Sequence, residues 1–217
     1  MKRITFLKTM LLAVILLIGS ANVWAETATL TIARSNFPSG SLTYGTDDAW
    51  TATTSKGDDI TGYFDLYSTA DQTTMQTRTN TPIGSYPYNT VAIPGSITKI
   101  TLNGGGTGSA RSWTPYLSTT ALTKSNYSTG TSQEAKSAGS STNASWDISA
   151  SSGFSYFYLN MTGGAVYLSS IVIEYETTPS IPCTPSALAF ASNDPVIKSE
   201  TDAAFTIATT SLNETTA

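Results

Sequence analysis

The chain has 217 residues, of which 40% are hydrophobic and 12% charged, with no His, one Cys, 11 basic and 15 acidic residues. The absence of His excludes a Ser-His-Asp or Cys-His nucleophile system and His-ligated zinc, and a single Cys excludes an intrachain disulfide and a thiolate zinc cluster. So few basic residues exclude a polybasic nucleic-acid surface, whereas abundant Thr, Tyr, Ile and Val favour β-structure over disorder.

The first segment of the chain has the pattern of a secretory signal peptide. Lys2 and Arg3 give it a basic start, an apolar run fills positions 10–18, and Val23 and Ala25 fit the −3 and −1 positions of a signal peptidase site. The run is shorter than the roughly 20 residues that a membrane-spanning helix needs. We therefore predict that residues 1–25 are cleaved, that no membrane span remains, and that the protein is secreted, on the cell surface or periplasmic.

Removal of this segment makes the chain more acidic. The segment holds three basic residues and no acidic one, so 8 basic and 15 acidic residues remain. A mildly acidic domain repels phosphate backbones and anionic lipid. We therefore expect no nucleic-acid partner for this segment, and we expect neutral polymers such as glycans to be compatible with it.

Strand patterns recur at short spacing between residues 26 and 177. Apolar residues alternate with polar ones and turn residues separate the runs, which is typical of short β-strands. In chain order the predicted strands cover residues 27–32, 60–67, 73–79, 97–102, 113–117, 144–148, 154–160 and 165–176. Because no segment has a sustained helical period, the pattern predicts an all-β domain, an antiparallel β-sandwich or jelly roll, over residues 26–177.

Two of these strands carry more detailed predictions. In strand 60–67, the alternation places Phe64 on one face and Asp65 on the other. In strand 165–176 the apolar phase changes at Ser169 and Ser170, which predicts a β-bulge at that point.

The last part of the chain is predicted to be separate from the sandwich. Residues 178–185 contain three prolines and indicate a stiff linker. Residues 186–217 alternate like the first strands of a second β domain, but they are too few to fold alone. The sequence therefore suggests a fragment of a longer protein. The alternative is a tail that pairs with the first domain. Cys183 is interpreted either as an inert thiol or as half of a disulfide whose partner lies beyond Ala217.

Several segments resemble a β-sandwich module of unassigned function found in secreted proteins of Gram-negative anaerobes. The resemblance covers about residues 27–176 and is clearest in segments 97–102, 146–148, 154–159 and 164–175. It implies a galactose-binding-like jelly roll at the N-terminus of a multidomain extracellular protein. In such proteins Ig-like repeats or a nuclease- or phosphatase-like domain can follow, and residues 186–217 are similar to the opening of an Ig-like repeat. The motifs are strand patterns, so they specify a fold rather than a ligand.

Loop aromatics are the candidate ligand-binding residues. Sugars bind in water by stacking their CH faces on flat aromatic rings, with a few polar groups for orientation. Tyr86 and Tyr88 lie between Pro- and Gly-containing turns, and Trp113 and Tyr116 follow a Gly-rich segment. We predict these four residues as a binding platform, with core packing as the alternative. Tyr127 is a further candidate of this kind, whereas Trp50 and Trp146 are predicted to be core residues.

Two acidic pairs are the candidate metal ligands. Asp47 and Asp48, like Asp58 and Asp59, are predicted to lie in loops before the strand at Ile60. Together they suggest a structural Ca²⁺ that joins two loops, although their spacing is not that of an EF-hand and solvated turn residues are the alternative. No other cofactor is expected.

The function predicted from the sequence is that of a non-catalytic extracellular accessory module that binds glycan or a cell-surface polymer. A glycosidase would need two carboxylates on either side of one bond, and Glu174 is not paired with another acid in the sequence. We therefore expect no enzyme activity in this segment. The alternatives are a structural spacer or adhesin-like stalk that presents a downstream domain, and the N-terminal part of a secreted enzyme whose catalytic domain lies beyond residue 217.

Overall fold

The computed structural model describes residues 25–77 and 86–177, and in these ranges the chain forms β-strands, short 3₁₀ turns and loops without an α-helix. The predicted linker, second domain and Cys183, and all but the last residue of the predicted signal peptide, lie outside these ranges. The strands are β1 Thr27–Ala33, β2 Asp48–Thr53, β3 Asp59–Phe64, β4 Met75–Thr77, β5 Tyr88–Asn89, β6 Gly95–Gly104, β7 Arg111–Ser118, β8 Thr131–Ser132, β9 Lys136–Ala138, β10 Ala144–Asp147, β11 Tyr156–Thr162 and β12 Val166–Thr177.

These strands form two antiparallel sheets. The first has the order β1-β12-β6-β10, with β4 also paired to β12. The second has the order β2-β3-β5-β11-β7-β8, with β9 also paired to β7. The two sheets share one hydrophobic core, so the predicted all-β antiparallel sandwich is confirmed.

The core follows from the alternation of side chains along each strand. In the first sheet, Leu30 and Ile32 of β1 and Ile173 of β12 are fully buried. In the second sheet, Phe157 and Leu159 of β11 are fully buried. The residues between them point to the opposite face of each sheet, because successive side chains of a strand alternate.

The β-bulge predicted in the last strand is present. The register of β12 against β6 shifts between Leu168 and Ser170, and Val166, Leu168, Ile171 and Ile173 are all fully buried. The extra residue lets two apolar runs of opposite phase face the same core.

The strand predicted over residues 60–67 is shorter in the structure and does not include Asp65. Strand β3 ends at Phe64, so the alternation stops before Asp65, which is fully buried. Its Oδ1 accepts a 2.9 Å hydrogen bond from the backbone N–H of Gly45. Asp65 therefore fastens the loop that leads into β2.

Among residues 25–77 and 86–177, no helix is long and apolar enough to cross a membrane.

Candidate functional site

Four tyrosines lie in register across the outer face of the second sheet. Tyr63 of β3 is paired with Tyr88 of β5, Tyr88 with Tyr158 of β11, and Tyr158 with Tyr116 of β7. In β7 and β11 the flanking residues Leu117, Phe157 and Leu159 are in the core, which places these tyrosines on the side away from it. We call these four residues the tyrosine row.

Each ring of the row contacts another ring of the row or one of two further tyrosines, Tyr86 and Tyr127. Centroids are 5.9 Å apart for Tyr63 and Tyr88 and 5.7 Å apart for Tyr88 and Tyr158. Tyr86 lies 5.5 Å from Tyr158, and Tyr127 packs edge-on against Tyr116 at 5.0 Å. These separations are those of favourable aromatic pairs, so the six rings stabilise one another.

A loop folds over the middle of this row. It comprises residues 119–130, and its two ends lie side by side because Thr131 of β8 pairs with Leu117 of β7. We call it the cover loop. It supplies Leu122, which is 1% exposed and clusters with Tyr88 and Tyr158, and Tyr127, whose ring lies on Tyr158. Compact loops with adjacent ends are often functional.

The cover loop holds its own shape through Asn126. The side-chain oxygen of Asn126 accepts a 2.6 Å hydrogen bond from the backbone N–H of Thr123, and its amide group donates to the carbonyl of Ala121. The backbone N–H of Tyr127 donates to the carbonyl of Thr123. Local bonds of this kind favour turns, and here they fix the position of Tyr127.

An ion pair ties the cover loop to the start of β2. Lys124 pairs with Asp47, and both side chains are partly buried. Burial raises the pKa of Tyr158 and of Tyr88, and the charge of Asp47 raises both further, because a nearby anion disfavours a phenolate.

Exposure divides the six tyrosines into two groups. Tyr88 and Tyr158 are 7% and 1% exposed, whereas Tyr63 is 38% exposed and Tyr86, Tyr116 and Tyr127 are half-buried. The buried pair supports the others from below. The remaining four are partly accessible to solvent.

Of the four predicted ligand-binding residues, the structure brings Tyr86, Tyr88 and Tyr116 together and separates Trp113. Trp113 is fully buried, and its Nε1–H donates to the carbonyl of Ala138 at 3.3 Å. The prediction of Trp113 as a surface platform is therefore wrong, because it occupies an inward position of β7. The core positions predicted for Trp50 and Trp146 are confirmed, at 1% and 3% exposed.

The sequence reasoning missed Tyr158 and Tyr63 as members of the site. The strong strand pattern of residues 154–160 contained a signal, because Tyr158 alternates with the buried Phe157 and Leu159. The same alternation places Tyr63 outward between Gly62 and Phe64. Their meeting with Tyr88 and Tyr116 depends on the strand order.

The four predicted metal ligands do not form a common site. Asp48 begins β2, whereas Asp59 pairs with Thr53 at the other end, so the two aspartates are about 17 Å apart along the strand. Asp59 accepts a 2.7 Å hydrogen bond from the hydroxyl of Thr53, and Asp58 accepts one from the hydroxyl of Thr54. One ion cannot join both pairs, and within the described ranges no three acidic or Cys side chains cluster as metal ligands.

Asp48 lies in a different environment from the other three aspartates. Burial raises its pKa, as does the charge of Asp65, while the backbone N–H of Leu66 and the charge of Arg34 lower it. Arg34 is 7% exposed and donates to the carbonyls of Pro38 and Gly40. These groups therefore hold the loop between β1 and β2 in place.

Two open hollows lie away from the tyrosine row. One, of about 520 Å³, borders Arg34 and Gln72. The other, of about 440 Å³, lies at the end of the sandwich between Ile93, Ser155 and Glu176, and it is bordered by Ala25 and Thr177. Neither has a constellation of polar groups aimed at a common point.

Comparisons with known proteins do not add to the interpretation of the fold or the site. No protein-family model, no curated protein and no solved structure matches the chain.

Proposed function

We propose that this domain is a non-catalytic, carbohydrate-binding accessory module of an extracellular protein, and that the tyrosine row with its two flanking tyrosines is its binding surface. The observation that carries the proposal is the in-register alignment of Tyr63, Tyr88, Tyr158 and Tyr116 on four neighbouring strands. Such an alignment places ring faces and hydroxyl groups on a rigid sheet rather than on a loop.

The chemistry of tyrosine suits a sugar ligand. A tyrosine ring is apolar on its face and polar at its tip, so it can stack on the CH face of a pyranose and hydrogen-bond its hydroxyls. Tyr63, Tyr86, Tyr116 and Tyr127 are sufficiently exposed for this role. Tyr88 and Tyr158 are buried beneath them and fix their positions, which lowers the entropy that binding costs.

The charges around the row favour a neutral ligand. Asp47 is the anion that acts on Tyr88 and Tyr158, and Lys124 neutralises it. The whole chain carries a formal charge of −4. The negative net charge of this chain would repel an acidic glycan, and Lys124 would not offset that repulsion because it is already paired with Asp47. A neutral polysaccharide is therefore the better fit.

The extracellular setting is part of the same proposal. It rests on the signal-peptide pattern of residues 1–25 and on the resemblance of segments 97–176 to modules of secreted proteins. An accessory module of this kind would hold a larger protein near its substrate or on a surface.

The first test is affinity electrophoresis of residues 26–217 in gels that contain soluble xylan, mannan, starch or mixed-linkage glucan, together with retention on insoluble cellulose and chitin. We expect retardation on at least one neutral polysaccharide. Tyr63→Ala and Tyr116→Ala should each weaken it about tenfold, which corresponds to the loss of about 1.4 kcal/mol.

The matched control is Tyr167→Ala. Tyr167 lies between the buried Val166 and Leu168 on the outer face of the other sheet, and it is half-buried like Tyr116. This variant should keep full retardation. If the wild-type protein is retained by none of these polysaccharides, carbohydrate binding is excluded as the role of the row, and the spacer function becomes the better interpretation.

A further inference from the structure

We infer that the ligand is an internal segment of a linear, neutral polysaccharide that lies across the strands, parallel to the tyrosine row. This inference rests on the proposed function and adds the form and direction of the ligand. It depends on three features of the row: its length, its open ends and its buried middle.

The length of the row exceeds one sugar ring. Tyr63 and Tyr116 lie on strands separated by two others, β5 and β11. With neighbouring strands about 4.8 Å apart, the two tyrosines are about 14 Å apart across the sheet. A pyranose is about as wide as a tyrosine ring, so no monosaccharide can contact both ends.

The buried middle separates two contact regions. Tyr63 forms one, and Tyr116 with Tyr127 forms the other, while Tyr88 and Tyr158 between them are almost fully covered. A ligand that gains energy from both regions must therefore be a chain. Such a chain would pass over the cover loop, which the ion pair of Lys124 with Asp47 holds in place.

Both ends of the row are open. Beyond Tyr63, the next position in register is Ala49 of β2, and beyond Tyr116 it is Ser132 of β8. Both residues are small and exposed, so neither forms a wall across the path of a ligand. A site that recognised a chain end would need such a wall, whereas an open row accepts a polymer that continues in both directions.

Two contact regions on one ligand have a thermodynamic consequence. Once a chain is bound at one region, the other region meets a high effective concentration of the same chain. Affinity should therefore rise steeply at the length that first spans Tyr63 to Tyr116. Longer chains should gain little more.

The experiment is titration calorimetry of residues 26–217 with linear xylo-, cello- and manno-oligosaccharides, from the monosaccharide to about the hexasaccharide. We expect no measurable binding of the monosaccharide and at least a tenfold rise in affinity between the disaccharide and the spanning length. Reduction of the terminal sugar to its alditol should leave the affinity of the hexasaccharide unchanged.

A double-mutant cycle checks that both regions contact one chain. Tyr63→Ala and Tyr116→Ala should each abolish most of the dependence on length, and the double variant should bind the hexasaccharide little more weakly than either single variant. Tyr63→Phe and Tyr116→Phe keep the rings and serve where an alanine variant does not fold. Both should retain the length dependence.

The outcomes separate the two proposals. Equal affinity for the monosaccharide and the hexasaccharide, or loss of binding on reduction of the chain end, would overturn the inference and leave carbohydrate binding intact. The inference would also be overturned if the losses of binding free energy in the two single variants simply added up in the double variant. Failure to bind any polysaccharide in the electrophoresis panel would overturn both.

Discussion

Tyr127 of the cover loop lies flat on Tyr158 of β11, with ring centroids 4.5 Å apart and ring planes at 9°. Tyr127 thus joins the cover loop to the centre of the second sheet. Leu122 and the ion pair of Lys124 with Asp47 complete the attachment. Tyr116, which packs edge-on against Tyr127, therefore depends on this loop for its position.

Replacement of Tyr127 by Ala should loosen the cover loop. The loss of a stacked, partly buried ring is expected to lower the free energy of unfolding by about 1–2 kcal/mol. Hydrogen exchange of the amides in residues 119–130 should accelerate, while that of β1 and β12 changes only with global stability. Tyr127→Phe keeps the stack and should behave like the wild type. Unchanged protection of the loop in Tyr127→Ala would show that the stack does not hold it.

Asn89 should be a strong stability determinant that also positions Tyr88. Asn89 is fully buried, and its amide group donates to the carbonyls of Val91 and Ser155 at 2.8 and 2.9 Å. Its Oδ1 accepts a 2.8 Å hydrogen bond from the backbone N–H of Phe157. Asn89→Ala removes three hydrogen bonds and leaves the buried backbone N–H of Phe157 without its side-chain acceptor, so we expect a loss of about 3 kcal/mol in urea unfolding.

The matched control for Asn89 is Asn103→Ala. Asn103 is only half-buried, and its amide group donates to the hydroxyl of Ser170. That variant should lose about 1 kcal/mol or less. Equal losses in the two variants would argue against the network around Asn89.

Gly62 should not tolerate a methyl group. A Cβ on Gly62 would lie 2.0 Å from the carbonyl oxygen of Tyr88 and 2.4 Å from Cζ2 of Trp50. Neither the backbone of the neighbouring strand nor a buried indole can move aside cheaply, so Gly62→Ala should cost about 3 kcal/mol or prevent folding. A thermal melt followed by circular dichroism measures this loss.

Gly106→Ala is the control for this substitution. There the nearest atom to an added Cβ is a side-chain carbon of Tyr167 at 3.4 Å, which is ordinary contact. The control should melt within a few degrees of the wild type. A Gly62→Ala variant of wild-type stability would contradict the packing of Trp50 against this strand.

Asp48→Asn should remove a pH dependence of stability. Burial and the nearby Asp65 raise the pKa of Asp48 in the folded protein, so in this pH range the folded state binds more protons than the unfolded chain. The contribution of Asp48 to the free energy of unfolding is therefore greatest below the ordinary pKa of Asp. This contribution is lost as the pH rises through the raised pKa of Asp48 in the folded protein. Asn keeps an oxygen to accept from the N–H of Leu66.

The measurement is urea unfolding of the wild type and Asp48→Asn from acidic to neutral pH. The stability of the variant relative to the wild type should grow as the pH rises. Asp147→Asn, at an exposed position of β10, controls for the loss of one negative charge. A relative stability of Asp48→Asn that falls towards neutral pH would contradict the predicted sign.

The alternation of apolar and polar residues in the sequence predicts those features of the fold that arise within a single strand. The bulge in β12 could be predicted because the apolar phase changes within a single strand. The inward position of Trp113 follows from the same rule, since it alternates with Tyr116 and shares the buried face of Leu117. The Gly-rich segment before Trp113 suggested an accessible aromatic instead, although the alternation of the predicted strand 113–117 puts Trp113 on the face of Leu117.

The tyrosine row could not be predicted because it depends on which strands are neighbours. Tyr88 lies on a strand of only two residues, inserted between β3 and β11, which are far apart in the sequence. Four of the six tyrosines of the site were identified as candidates, but as loop aromatics rather than as neighbours on a sheet. Similarly, the separation of Asp48 from Asp59 became evident only from the hairpin that β2 and β3 form.

The pairing of β1 with β12 has a mechanical consequence. The backbone N–H of Thr177 donates to the carbonyl of Glu26 at 2.9 Å, although the two residues are 151 positions apart. The chain thus enters and leaves the domain at one point, so the folded domain adds almost no length to a stretched protein. A pulling force on the two flanking segments would break the hydrogen bonds between β1 and β12 one after another, starting from the end where the chain enters and leaves the domain. Complete unfolding of the domain would release about 500 Å of chain. The domain is therefore suited to be a unit attached to one side of a stretched protein that unfolds under force, rather than a rigid spacer.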